Sequence, residues 1–190
     1  MIIQSDLKWS LHIETIIKKL HKTIGVINRS KNKLNTEIML TLYYSFFYPY
    51  LIYGNIFWGA ANKHLIDKIH ILQKRYIRLC FHLNRFDHTE DYFLKTQILT
   101  IDQINDYLTL NFIYRILNFA EYNVLNTFER INSNTRCFGE LRIPKSRTAL
   151  NDKSWRIEGA KKWNKLNLND KTFVSYSCFK KETKKTIINE

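Results

Sequence analysis

KHLIDKIHILQKRYIRLCFH, from Lys63 to His82, carries the sharpest amphipathic pattern in the chain. Leu65, Ile69, Leu72, Tyr76 and Leu79 recur three and four residues apart, so a helix of about 3.6 residues per turn gathers them into one stripe. Lys74, Arg75, Arg78 and His82 fall nearly on the reverse side. The stretch therefore predicts a helix with one greasy and one cationic face.

Upstream, Trp9, Ile13, Ile16, Leu20, Ile24 and Ile27 repeat the same spacing and predict a first helix from about Ser10 to Ser30. Lys18, Lys22 and Arg29 project from its opposite side. A polar connector, Lys31 to Asn35, leads to a second helix with Thr36 as its N-cap and Glu37 in the first turn. Pro49 is expected to kink that helix or divide it, and Gly54 and Gly59, flanking Trp58, weaken its end. Residues Ile38 to Asn62 hold no formal charge, which is length enough for a bilayer crossing of ~20 residues. Yet Pro49 sits mid-segment and Tyr43, Tyr44, Tyr48, Tyr50 and Tyr53 crowd its centre, whereas spanning helices keep Tyr at their ends. The segment reads as a buried, aromatic-rich core helix, with no membrane partner.

Downstream, Thr89, Glu90 and Asp91 mark a helix start after the polar stretch Asn84 to Thr89, and that helix runs to about Gln97. Asp102 to Tyr122 reads as a longer helix with Leu108, Phe112, Ile116 and Phe119 as its core face. From Asn132 the texture turns polar. Cys137–Ile143 and Ser154–Ile157 are β-prone, giving a small hairpin or a pair of extended arms. Ala160–Leu166 reads as a short helix carrying Trp163, and Thr172 to about Ile188 as a last helix bearing Lys180, Lys181, Lys184 and Lys185. The expected fold is mainly α, a helical bundle with a small β-hairpin-like element near the C-terminus. Its regions are 1–88, 89–130 and 131–190.

Bulk composition agrees. Only 5 Gly and 2 Pro interrupt 190 residues rich in Leu, Ile and Lys, which favours long helices. With 45% hydrophobic and 14% aromatic residues a packed core is affordable, and disorder is not expected. Lys plus Arg number 30 against 17 acids, a net charge of +13, which suits a polyanionic partner because each phosphate contact releases counterions. Cys80, Cys137 and Cys178 are far apart and odd in number, so no disulfide framework is expected and a reducing, intracellular compartment fits, cytoplasmic and nuclear. MIIQSDLKWS lacks the basic and apolar regions of a signal peptide.

Chemistry-bearing motifs are few. His12, His21, His64, His70, His82 and His88 form no H-x-x-x-H or H-E-x-x-H spacing, no Cys/His zinc spacing exists, and neither phosphate-cradling Gly motif occurs. No metal and no cofactor are expected. The acids Asp87, Glu90 and Asp91 read as helix N-cap and first-turn charges, with a metal site as the minor alternative. Binding remains: Lys18, Lys22, Arg29, Lys74, Arg75 and Arg78 are the candidate nucleic-acid contacts, of the kind that fix register without reading sequence. Trp155 and Trp163 admit two roles, core anchors or contacts to nucleic acid or a partner. The basic tail likewise reads as a solvated helix end or as a phosphate clamp.

Three segments together resemble the region that follows the palm in reverse transcriptases of non-LTR retrotransposons, of the LINE or jockey type. Asp6-Leu7-Lys8-Trp9-Ser10-Leu11-His12-Ile13 is similar to the opening of that family's thumb. Tyr48-Pro49-Tyr50-Leu51-Ile52-Tyr53-Gly54-Asn55-Ile56-Phe57-Trp58-Gly59 resembles its P-x-L-x-Y-G-x-x-x-W-G run and leads into Leu72-Gln73-Lys74-Arg75-Tyr76-Ile77-Arg78, similar to L-Q-K-x-x-x-R. Pro144, Arg147-Thr148, Gly159, Lys162 and Trp163-Asn164-Lys165-Leu166 match the third, although the family often continues with Pro where Asn167 stands. Their order and spacing cover nearly the whole chain. The resemblance implies a piece of a longer polymerase, with a helical thumb gripping the RNA/DNA template–primer duplex beside the palm and fingers of the parent protein. Family palms hold two metals on an Asp-Asp pair, and no such pair occurs in this chain, so no polymerisation by the chain alone is expected. A helical protein-interaction or structural module, with no nucleic-acid role, is the alternative.

Overall fold

The computed structural model describes residues 1–119, 128–131, 140–166 and 175–189, and falls into two units, Met1–Asn105 and Asp106–Glu190. It is mainly helical, and no strand forms among the described residues.

In the first unit, α1 (Ser10–Ser30) spans the predicted stretch and buries Ile13, Ile16, Leu20, Ile24 and Ile27. Its N-terminus lacks a side-chain cap of its own, because Trp9 sits in the left-handed region at φ 62°. Gln4, in the preceding turn, substitutes: its Oε1 accepts the Leu11 N–H at 2.9 Å and the Ser10 hydroxyl at 3.1 Å. That satisfies an otherwise orphaned amide of the first turn. A 3-10 turn, Lys31–Lys33, then leads to α2 (Thr36–Leu42), where Asn35 rather than Thr36 is the cap, accepting the Ile38 N–H at 2.8 Å.

The uncharged segment does not form one straight buried helix. After α2 the backbone widens into a π turn over Tyr43–Phe47, continues as α3 (Tyr48–Ile52) with Pro49 in its first turn, and bends at Gly54 (φ 64°) into α4 (Asn55–Trp58). Proline has no N–H to give, so its position just after the π turn loses little hydrogen bonding. The winding turns Met39, Tyr43, Phe47, Leu51 and Trp58 inward and fully buries them. It leaves Tyr44, Phe46, Tyr53 and Phe57 exposed, so the expectation of a core helix holds for one face only.

Helix α5 (Lys63–Cys80) packs chiefly against α1. Its buried arc is Ile66, Ile69, Leu72, Gln73, Tyr76, Ile77 and Cys80, rotated from the stripe read in the sequence, so that Leu65 and Leu79 are only half-buried. Two polar ties cause the rotation. Gln73 Nε2 donates to the Tyr43 hydroxyl at 3.0 Å and to the Leu99 carbonyl at 3.1 Å, and the Tyr76 hydroxyl donates to the Met39 carbonyl at 2.9 Å. Tyr43, Phe47 and Tyr76 then pack ring against ring at 5.1–5.3 Å between centroids. Such pairs add about 0.5–1.5 kcal/mol beyond the area they bury. Helix α6 (Glu90–Thr96) follows, with Glu90 and Asp91 in its first turn as expected.

Helix α7 (Ile101–Asn118) crosses the division between the units. Its core face differs in part from the expected one: Ile116 is buried as expected, but Leu108 and Phe112 are half-buried and Phe119 is exposed, whereas Ile104, Asn105, Thr109 and Ile113 are buried. Asn105 is enclosed because its Nδ2 donates to the Asn55 carbonyl and to Asn55 Oδ1, at 3.2 and 3.0 Å.

The second unit contains α8 (Ala149–Asp152), α9 (Trp155–Lys165) and α10 (Tyr176–Asn189). The expected hairpin is not seen among the described residues. One antiparallel bridge pairs Arg130 with Leu141, flanked by Ile131 N–H to the Glu140 carbonyl and Arg142 N–H to the Glu129 carbonyl at 2.8 and 2.9 Å. Ser154–Ile157, read as β-prone, instead caps and starts α9, where Ile157 joins the buried face. The part of Cys137–Ile143 before Glu140, the start of the last helix at Thr172 and the Asn167 departure lie outside the described residues. Phe179, Thr183 and Ile187 form the buried stripe of α10, and Phe179 stacks on Tyr114 at 4.2 Å between ring centroids.

Two imidazoles of the first unit make its stability depend on pH. His12 is buried with its Nδ1 accepting the Ile2 N–H at 3.3 Å, and His70 is half-buried and stacked on Phe93. Burial, with Lys19 adding for His12 and Lys74 for His70, holds both below the usual imidazole value. The unfolded chain therefore binds more protons than the folded one once pH drops below about 6.5, so stability is complete above that value and declines beneath it. Thermal melts are expected to lose several degrees, about 3–8 °C, between about pH 7.5 and 5.5. A melting temperature flat across that window contradicts the assignment.

Candidate nucleic-acid interface

At 100° per residue, Lys18, Lys22 and Arg29 lie within an arc of about 40° on α1, directly opposite its isoleucine face. All three are exposed. With a rise of about 1.5 Å per residue they extend over roughly 16 Å of helix. Among the described residues no carboxylate lies within ion-pair distance of them. Cations held on a rigid rail without internal partners keep their whole electrostatic reach for an external anion.

The other three candidates part company on α5. Arg75 is exposed and Lys74 half-buried, on the outward side of that helix. Arg78 is already engaged: its Nε and Nη2 donate to the Asp87 carbonyl at 3.2 and 3.0 Å. That fork ties down the loop after α5, in which Asp87 also accepts the Asn84 N–H at 2.7 Å. Because α1 meets α5 through its apolar side, Lys18, Lys22 and Arg29 point away from α5. Lys18, Lys22 and Arg29 thus share one exposed stripe of α1, Lys74 and Arg75 lie on the outward side of α5, and Arg78 is taken up by the loop that follows it.

Lys19 is a neighbour that the sequence pattern did not single out. Its ammonium lies over the Tyr50 ring, 5.2 Å from the centroid, beside a cavity of about 490 Å³ lined in part by His12, Ile16, Pro49 and Tyr53. Only the fold places a residue of α1 over one of α3.

The acids Asp87, Glu90 and Asp91 are taken up by the loop and the first turn of α6, and no group of His, Cys, Asp and Glu among the described residues could hold a metal ion. No helix among the described residues is long and apolar enough to cross a membrane. Cys80 is buried and Cys178 exposed, both as free thiols, and burial pushes the Cys80 thiol up to about 12, which keeps it protonated and inert.

Several of the residues quoted for the resemblance are framework positions. In the first unit, His12 sits edge-on between Trp9 and Trp58, at 6.3 and 6.1 Å between centroids, and Trp58 Nε1 donates to the Tyr53 carbonyl at 2.9 Å. Two segments about 45 residues apart in sequence thereby meet in one core. In the second unit, Asn164 clasps Leu141 through both backbone groups, accepting its N–H at 2.8 Å and donating to its carbonyl at 2.9 Å. Trp163 is buried near Phe179, which settles its role as a core anchor, and Lys162 pairs with Asp106 at 2.7 Å. Trp155 is half-buried among Phe112 and Phe128. On α10, Lys185 pairs with Glu182 at 2.7 Å, and Lys180 lies over Tyr176. The basic run of α10 is therefore partly neutralised.

No family model matches this chain, and neither does any curated protein or any solved structure.

Proposed function

We propose that the chain is the post-palm part of a non-LTR retrotransposon reverse transcriptase, and that it grips the template–primer duplex through the outer face of α1. The observation that carries this reading is the Lys18–Lys22–Arg29 rail, without an ion pair among the described residues, opposite the face that buries Ile13, Ile16, Leu20, Ile24 and Ile27. Three ordered motifs support the ancestry, and a net charge of +13 supports a polyanionic partner. An RNA–DNA hybrid is A-like, so contacts to its backbone and shape dominate over base reading. The palm and fingers of the parent polymerase supply the chemistry, and this chain supplies grip in a reducing compartment, cytoplasm and nucleus.

The test is a fluorescence-anisotropy titration of a labelled RNA–DNA hybrid at several salt concentrations. Three phosphate contacts give a slope of log K against log[salt] of roughly −2 to −3, an affinity about 20- to 40-fold weaker at about 200 than at 50 mM salt. The same preparation is expected to incorporate no nucleotide. A titration that is flat with salt sinks the reading.

One observation favours a second reading. Tyr44, Phe46, Tyr53 and Phe57 stand exposed on an uncharged stretch, which suits a helical module that docks another polypeptide. Crosslinking in cells that recovers protein and no nucleic acid would select it.

A further inference from the structure

Gly25 stands in the interior of α1, where glycine is among the poorest helix formers, and nothing in the fold asks for it. A Cβ added there would meet no atom within 4 Å, and its φ is not in the left-handed region. The other described glycines each have a local reason. Gly54 has φ +64°, a Cβ on Gly59 would strike the Asn105 amide, and a Cβ on Gly159 would lie 2.8 Å from Ile113 Cδ1. Gly25 alone of these is explained by neither conformation nor crowding.

Its position supplies the reason. Lys18, Lys22, Gly25 and Arg29 stand at intervals of four, three and four residues, so they fall on one exposed stripe about 60° wide. The only missing side chain in that stripe lies between Lys22 and Arg29. We infer that Gly25 is the point of closest approach between α1 and the sugar–phosphate edge of an A-form duplex, a contact that rests on the nucleic-acid reading above. Two cations on one side and one on the other hold phosphates, while the bare backbone at Gly25 lets the helix settle against the wide, shallow minor groove and its 2′-hydroxyls. A methyl group there holds the strand off and lengthens each charge contact without altering charge.

The experiment compares the full chain with Gly25→Ala and with Asn28→Ala, an exposed substitution on α1 about a quarter-turn from the stripe. The probe is a labelled RNA–DNA hybrid, and each protein is also melted. Gly25→Ala is expected to melt higher than the parent, as a helix-favouring change in open space does. It is expected to bind about three- to tenfold more weakly, with an unchanged salt slope because no charge is lost. Asn28→Ala is expected to bind as the parent does. Gly25→Ala binding as tightly as the parent overturns the inference while leaving the duplex grip intact. So does a lower melting temperature, which would mean that the fold itself needs the glycine. A parent chain with no salt-dependent binding defeats the nucleic-acid reading and this inference together.

Discussion

Trp58→Ala is expected to cost the first unit about 3–5 kcal/mol, the range for deleting a fully enclosed Phe or Trp from a core. Trp58 has no exposed surface, meets His12 edge-on, and spends its one polar group on the Tyr53 carbonyl at 2.9 Å. Alanine removes the packing that joins the start of α1 to α4 and leaves a void that its neighbours fill only in part. Asn55 and Gly59 lie on either side of it in the chain, held by the Asn55–Asn105 amide pair. A collapse into the void therefore also strains a buried polar contact, where an unsatisfied amide costs about 1–3 kcal/mol. For a unit of this size the loss corresponds to a melting temperature lower by roughly 15–30 °C in a circular-dichroism melt. Trp58→Phe, which keeps a ring but not the N–H, is expected to lose less than half as much. A variant Trp58→Ala that melts within a few degrees of the parent would show that the tryptophan is not the keystone described.

Local pattern was legible where burial alone decides structure. The unbroken three-and-four spacing from Ile13 to Ile27 marks the body of α1, because the buried positions over that stretch are all aliphatic. It was less legible where polar groups are buried in pairs. Gln73 and Asn105 look like surface residues until Tyr43, Leu99 and Asn55 are placed opposite them, so the inward faces of α5 and α7 lie one sector away from their apolar stripes. The π turn before Pro49 is another case. An i, i+4 spacing of Tyr43, Phe47 and Leu51 says that those residues share a face, but not that the winding between them widens by one residue. The cationic stripe of α1 followed from helical arithmetic. The engagement of Arg78 did not, since it depends on a loop folding back to bring the Asp87 carbonyl within 3.0 Å. Gly25 was visible in the sequence but carried no meaning there, because its significance lies in the open space around it.

Reversing the rail with Lys18→Glu, Lys22→Glu and Arg29→Glu together is expected to weaken hybrid binding by on the order of 100- to 1000-fold at about 0.1 M salt. Each lost phosphate contact forfeits close to a factor of ten there, and each new carboxylate adds repulsion against the strand. The fold is expected to survive, because all three side chains are exposed and none holds an ion pair among the described residues. The melting temperature should therefore stay within about 2 °C of the parent, in line with surface substitutions elsewhere. Lys74→Glu with Arg75→Glu gives the comparison, since those cations stand on α5, away from the rail. If α1 is the grip, that pair costs less than about tenfold, through the general loss of positive field. Equal losses from the two sets would mean that no face is privileged and that binding follows net charge alone. A rail-reversed chain that binds as the parent does, with its melting temperature unchanged, would remove α1 from any part in nucleic-acid recognition, and the exposed aromatic edge of Tyr44, Phe46, Tyr53 and Phe57 would become the better guide to what this chain touches.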